Sequence, residues 1–136
     1  MKKLLLAFAV LCLAACAPTA APVVVFEPSA GYTVDALSAI TVQEPLPGTT
    51  YNELKLRVGG TSSISTADLY LFGPDVRVGV NGKCTTLSTS VLRCKVPGFK
   101  APYNYALPYR GKLLKAFAEY TNLDTGQNLY TPIFGN

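Results

Sequence analysis

The sequence predicts an all-β protein, a single antiparallel β-sandwich of about seven to nine short strands that follows a signal peptide and a short linker. Three observations carry that expectation. Apolar and charged residues alternate strictly from Glu53 to Val58. Short apolar runs recur between breaks of Gly, Pro, Asn and Ser. Two cysteines, Cys84 and Cys94, flank a turn at a spacing that suits a hairpin.

Before the sandwich comes an export signal. Lys2 and Lys3 give a basic start, Leu4 to Leu13 an apolar run, and Ala14-Ala15 the small residues that a signal peptidase needs beside its cut. The run is too short for a transmembrane helix, which takes about 20 apolar residues. Leu13-Ala14-Ala15-Cys16 resembles the lipobox of bacterial lipoproteins position by position. The resemblance implies a signal peptide of residues 1–15, cleavage before Cys16, and a diacylglycerol with an N-acyl chain on Cys16 in place of any other cofactor. Two or three chains make such an anchor effectively permanent, since each buried methylene contributes about 0.8 kcal/mol. Ala17 stands where the family's inner-membrane retention signal would place Asp, which favours the outer membrane in a cell that has two. The expected address is therefore the bacterial cell envelope. Residues 16–22, rich in Ala, Pro and Thr, make a flexible tether behind the lipidated cysteine.

Residues 23–136 then form one domain, large enough to bury a core without depending on crosslinks. Of 12 basic side chains, Lys2 and Lys3 leave with the signal, which brings the balance against 8 acidic ones close to neutral. With no run of like charges, nucleic acid is not an expected partner. Cys84 and Cys94 remain, in a compartment where thiols oxidise, and a disulfide is the default reading. A metal pair is the weaker alternative. The chain has no histidine, and two thiols fill half of a tetrahedral zinc site.

Along the domain, Val23-Val24-Val25-Phe26 is β-prone and stops before Pro28 as an edge strand. Tyr32 to Gln43 reads as strand over the alternative of a helical turn capped by Asp35, and Pro45 to Gly48 break the chain. Leu54, Leu56 and Val58 point one way while Glu53, Lys55 and Arg57 point the other, the pattern of a half-buried strand. A Gly/Ser/Thr loop leads to Leu69-Tyr70-Leu71-Phe72, apolar on both faces and so a central strand. Val76 to Val80 alternates again, and Asn81-Gly82 signals a tight hairpin whose partner begins at Lys83. A second hairpin centred on Thr89 sets Cys84 opposite Cys94 and Thr86 opposite Leu92, within disulfide reach. Pro97 to Gly111 reads as a long connection. Lys112 to Thr121 has helix-favouring residues. Gly111 and the turn Asn122 to Gly126 bound it, however, and Leu129 to Phe134 can pair with it, so strand is expected over helix. Pro132 marks that last strand as an edge.

From about Tyr51 to Phe134 this order resembles the immunoglobulin-like repeat modules of bacterial surface proteins. The valine-rich strand, the cysteine hairpin, the proline-containing connector and the closing pair of strands carry the likeness. It implies an immunoglobulin-like sandwich in a surface setting and no single activity.

Without histidine, Ser-His and Cys-His nucleophile systems are excluded, and no Gly-rich phosphate loop is present. Asp124-Thr125-Gly126 matches the aspartic-protease triplet, but a hairpin turn uses the same residues and too little chain follows for a protease half-site. Asp68, Asp75, Glu53 and Glu119 are scattered carboxylates expected to stay solvated, and no catalytic or metal site is expected. The candidate binding surface is the connector, with Lys100, Tyr103, Tyr105, Tyr109, Arg110 and Lys112 able to stack on sugar rings or hold anions. The competing expectation is that its tyrosines close one end of the sandwich. The expected role is a non-enzymatic, lipid-anchored structural or interaction module. Its partner would be another envelope protein or its own copy, met through a sheet edge or the connector. A module for cell-wall glycan is the alternative, and an enzyme stands third.

Overall fold

The computed structural model describes residues 26–45, 47–79 and 83–135. The signal, lipobox, tether, Val23 to Val25 and the Asn81-Gly82 turn lie outside the described residues. Every regular element among those described is a strand, and two sheets face each other across one core.

The smaller sheet is built on the alternating stretch. β3 (Asn52–Val58) buries Leu54, Leu56 and Val58 almost completely and leaves Lys55 and Arg57 in water. Burying side chains of this size is worth roughly 1.5–3 kcal/mol each. The exposed Glu53–Lys55 ion pair at 3.6 Å is worth about 0–1 kcal/mol, so the apolar face fixes the strand. β3 lies between β2 (Ser38–Gln43) and β10 (Tyr103–Arg110), both antiparallel to it, and β6 (Arg77–Val78) pairs with the far side of β10.

The larger sheet runs in the order β1 (Thr33–Val34), β12 (Asn128–Tyr130), β11 (Lys115–Thr121), β5 (Ala67–Phe72), β8 (Val91–Val96) and β7 (Cys84–Ser88). β13 (Phe134–Gly135) also pairs with β11. β5 is central, as its apolar faces require. Ala67, Leu69 and Leu71 enter the core, while Tyr70 and Phe72 gather on the outer face with Phe117, ring centroids 5.2 and 5.7 Å from it. The chain from Phe26 to Ser29 crosses that outer face. Phe26 meets Phe72, Lys115 Nζ donates to the Phe26 carbonyl at 2.9 Å, and Ser29 donates from its N–H and hydroxyl to Glu119. β11 is consequently buried on both faces from Ala116 to Tyr120. Tertiary cover thus overrides helix propensity at Lys115–Thr121, and the strand expected there is present from Lys115 onward. A small ribbon of β4 (Ser63–Ile64) and β9 (Phe99–Lys100) closes one end of the sandwich.

Among the described residues seven strands have five or more residues and six pieces are shorter. Lettered A to G in chain order, the seven long ones form sheets A-B-F and G-C-E-D, whereas an immunoglobulin constant domain has A-B-E-D and C-F-G. The sandwich architecture is common to both and the connections differ.

Four expectations are corrected. Tyr32 to Gln43 is two strands, because Asp35 accepts the Leu37 N–H through Oδ1 at 2.9 Å and turns the chain between β1 and β2. Val76 to Val80 does not form a hairpin with the cysteine strand. Among its described residues Arg77–Val78 pairs, and it joins β10 in the smaller sheet while β7 belongs to the larger one. Pro97 to Gly111 is no loop but β9 and the eight-residue β10. Its prolines do not break the ladder because Pro102 precedes the strand and Pro108 sits near its end. Finally, Leu129 to Phe134 is interrupted from Thr131 to Ile133, and β1 covers β12, so the sheet edge lies one strand further out. Thr131 is fully buried there, its hydroxyl accepting the Ala118 N–H at 2.9 Å.

Candidate functional site

The tyrosine-rich stretch is a strand, and a strand sends successive side chains to opposite faces. Tyr105, Leu107 and Tyr109 therefore point with Leu56 and Leu54 into the core, Tyr109 being 3% exposed. Burial raises the pKa of Tyr109, and burial with neighbouring Tyr103 raises that of Tyr105. The other face of β10 shows Asn104, Ala106, Pro108 and Arg110 to water. Arg110 lies over the Tyr51 ring at 4.2 Å.

The six residues of the candidate binding surface are thus divided. Lys100 is exposed on β9, next to a stacked pair formed by Phe99 and Tyr103 with centroids 4.4 Å apart. Arg110 ends β10 and Lys112 follows it, roughly 20 Å from the β9 end at about 3.3 Å per residue. Lys112 uses its backbone N–H to hold Asp75 Oδ1 at 3.0 Å. At this corner Gly111 has φ +89°, and a Cβ on it would overlap the Asp75 carbonyl, which fixes the chain reversal after β10. No single site contains all six residues.

Two hairpin features follow the sequence closely. Cys84 pairs with Cys94 and Thr86 with Leu92, and the two cysteines form a disulfide with Cα atoms 4.0 Å apart. Asp124-Thr125-Gly126 is the turn between β11 and β12. Asn122 Oδ1 accepts the N–H groups of Asp124 and Thr125, Gly126 has φ +73°, and Asp124 Oδ2 accepts the Ser63 N–H at 3.3 Å.

The scattered carboxylates come together in one place. Asp68 and Glu119 are cross-strand neighbours on the outer face of the larger sheet. Each already has a partner, since Lys95 Nζ stands 2.6 Å from Asp68 Oδ1 and Ser29 holds Glu119. Tyr70 lies beside them, and burial together with the two carboxylates raises its pKa. Glu53 and Asp75 lie elsewhere, on Lys55 and Lys112. Among the described residues no group of three or more His, Cys, Asp or Glu side chains could hold a metal ion.

Two features escape a reading of the sequence alone. One is an open cleft of about 390 Å³ at the end of the sandwich, where Val34, Leu37, Ile64 and Leu129 meet the amides of Asn122 and Gln127. Gly59-Gly60 was its only trace in the sequence. The other is the free edge of β2. Six residues without charge or proline, Ser38 to Gln43, run along the outside of the smaller sheet, and among the described residues they have a strand neighbour on one side only. Its signal was the β-branched, uncharged composition, but which strand becomes an edge depends on the sheet order.

Compared with known proteins, the chain matches no family model, no curated protein and no solved structure.

Proposed function

We propose that the chain is a lipid-anchored, non-enzymatic protein of the bacterial cell envelope whose single β-sandwich acts as a structural or protein-interaction module. Anchoring rests on Leu13-Ala14-Ala15-Cys16 and the basic, apolar and small-residue segments ahead of it. The Cys84–Cys94 disulfide supports an oxidising compartment. The observation that carries the interaction reading is the open edge of β2, a row of backbone donors and acceptors ready to take another strand. An anchor confines the protein to a surface, and the raised local concentration makes short contacts sufficient.

Two experiments test this. A radiolabelled fatty acid fed to the producing cells should label the wild-type chain and leave Cys16→Ser unlabelled, and equal labelling of both would end the anchoring reading. Affinity purification from gently solubilised membranes should recover protein with the native form. Recovery of cell-wall fragments alone would transfer the proposal to glycan binding. The Phe99–Tyr103 stack beside Lys100 favours that second reading, because a half-buried aromatic pair flanked by a cation is a surface on which a sugar ring can stack.

A further inference from the structure

The sheet edges are not alike. β1 and β6 each have two residues. β7 is irregular, its register shifting between Thr86 and Ser88, and Lys83 stands at its start. Short length, bulges and lysines are the devices by which monomeric β-proteins blunt an edge. Among the described residues β2 is the long edge that has none of them: six residues, Ser-Ala-Ile-Thr-Val-Gln, in unbroken register with β3.

The phase of its hydrogen bonds shows what the edge offers. The Leu37 carbonyl accepts the Gly59 N–H at 2.8 Å, and the register continues from Ser38 opposite Val58 to Gln43 opposite Glu53. In an antiparallel ladder bonded and non-bonded pairs alternate, so Ala39, Thr41 and Gln43 bond to β3 while the main-chain groups of Ser38, Ile40 and Val42 point outward. The Ser38 N–H is already taken by the Asp35 carbonyl at 3.2 Å. Ile40 and Val42 keep both donor and acceptor.

We infer that this edge pairs with the same edge of a second copy, β2 against β2, about a two-fold axis at Thr41. That register makes Ile40 and Val42 of one copy bonded pairs with Val42 and Ile40 of the other, satisfying the donor and acceptor that each of these residues points outward. An axis at Ile40 would instead direct the Val42 carbonyl to the Ser38 N–H, which is occupied. With the axis at Thr41, each off-axis contact is made twice, i to j and j to i, as a two-fold interface requires. Thr41 opposes Thr41, a favourable cross-strand pair, and Ala39 opposes Gln43. A strand with no charge meets no repulsion from its own copy. The nearest cations, Lys55 opposite Thr41 on β3, are three strand spacings from their counterparts, about 14 Å. That exceeds the Debye length of about 8 Å at physiological salt. The result is one continuous sheet built from both copies.

This names the partner for the interaction reading above, and its test is separate from that of the anchor. Cells making full-length Thr41→Cys are oxidised and their proteins resolved without reductant, with Thr89→Cys on the exposed β7–β8 turn as control. A band at twice the chain mass for Thr41→Cys, absent for Thr89→Cys, supports the pairing. Equal bands for the two, or a Thr41→Cys adduct with a different protein, overturns it. Thr41→Lys, at an exposed position that leaves the fold intact, brings two lysines together at the axis. It should convert the detergent-solubilised wild-type dimer to monomer by light scattering, and an unchanged mass overturns the inference. Loss of the fatty-acid label with cross-linking retained would remove the anchor and leave the pairing standing.

Discussion

The Tyr120 hydroxyl donates a 2.6 Å hydrogen bond to Asp35 Oδ2, while Asp35 Oδ1 accepts the Leu37 N–H on the same turn. One carboxylate thus ties the doubly buried β11 to the turn that launches β2. Tyr120 is 2% exposed and Asp35 is half-buried, so the bond sits where the core meets the turn.

Tyr120→Phe should destabilise the protein by roughly 1.5–3 kcal/mol, the net worth of a hydrogen bond to a charged group. Urea unfolding of both proteins measures it. An unchanged midpoint would mean that solvent already satisfies Asp35.

Alkali should unfold the protein, with Tyr120 as the leading cause. Burial, then the hydrogen bond to Asp35, raise its pKa well above the ordinary value of 10.0. A folded pKa above the unfolded one means that its contribution is complete below about pH 10 and is lost as pH rises beyond it. Tyr70, Tyr105 and Tyr109 shift the same way through burial. Stability measured from pH 8 to 12 should be flat and then fall, less steeply in Tyr120→Phe. Equal slopes would assign the fall to other groups.

Reducing Cys84–Cys94 should cost about 2–3 kcal/mol, the chain-entropy value for closing a loop of this sequence separation of 10. Thermal unfolding with and without reductant, repeated on Cys84→Ser/Cys94→Ser, should show one drop shared by the reduced and mutated proteins. A larger loss in the double mutant would point to packing of the sulfurs, since Cys94 is itself 1% exposed.

Neighbouring positions on β10 should behave oppositely. Tyr109→Ala opens the core and is expected to cost about 3–5 kcal/mol, as other large aromatic truncations do. Arg110→Ala should change stability by no more than about 0.5 kcal/mol. Comparable losses at both would contradict the alternation. For the same reason any test of glycan binding belongs at Phe99, Lys100 and Tyr103 and not at the inward Tyr105 and Tyr109.

Local signals were legible in the sequence where one short stretch contained both halves of the evidence. Leu54, Leu56 and Val58 set the buried face of β3, and Ser88 to Ser90 with Cys84 and Cys94 set a hairpin register. Gly111 and the Asn122 to Gly126 turn bounded β11 well enough to outweigh its helix-favouring residues. What could not be read was which strand meets which. Asn81-Gly82 suggested a hairpin by composition, yet β6 joins β10, some thirty residues further along the chain. The tyrosines of β10 looked like a loop surface because the three prolines and two glycines from Pro97 to Gly111 suggested irregularity, while the alternation Tyr103, Tyr105, Leu107, Tyr109 carried the opposite message. Recognising the exposed cations as two separate groups required the length of β10.

The parallel pairing of Thr33–Val34 with Leu129–Tyr130 has a kinetic meaning. It brings together segments almost a hundred residues apart, and β11, which holds β5, β12 and β13 in one sheet, is the last long strand to be synthesised. Partners so distant along the chain make for slow folding, since loops must close before any contact rewards them. A nascent chain that has not reached β12 lacks the strand that both β1 and β11 need.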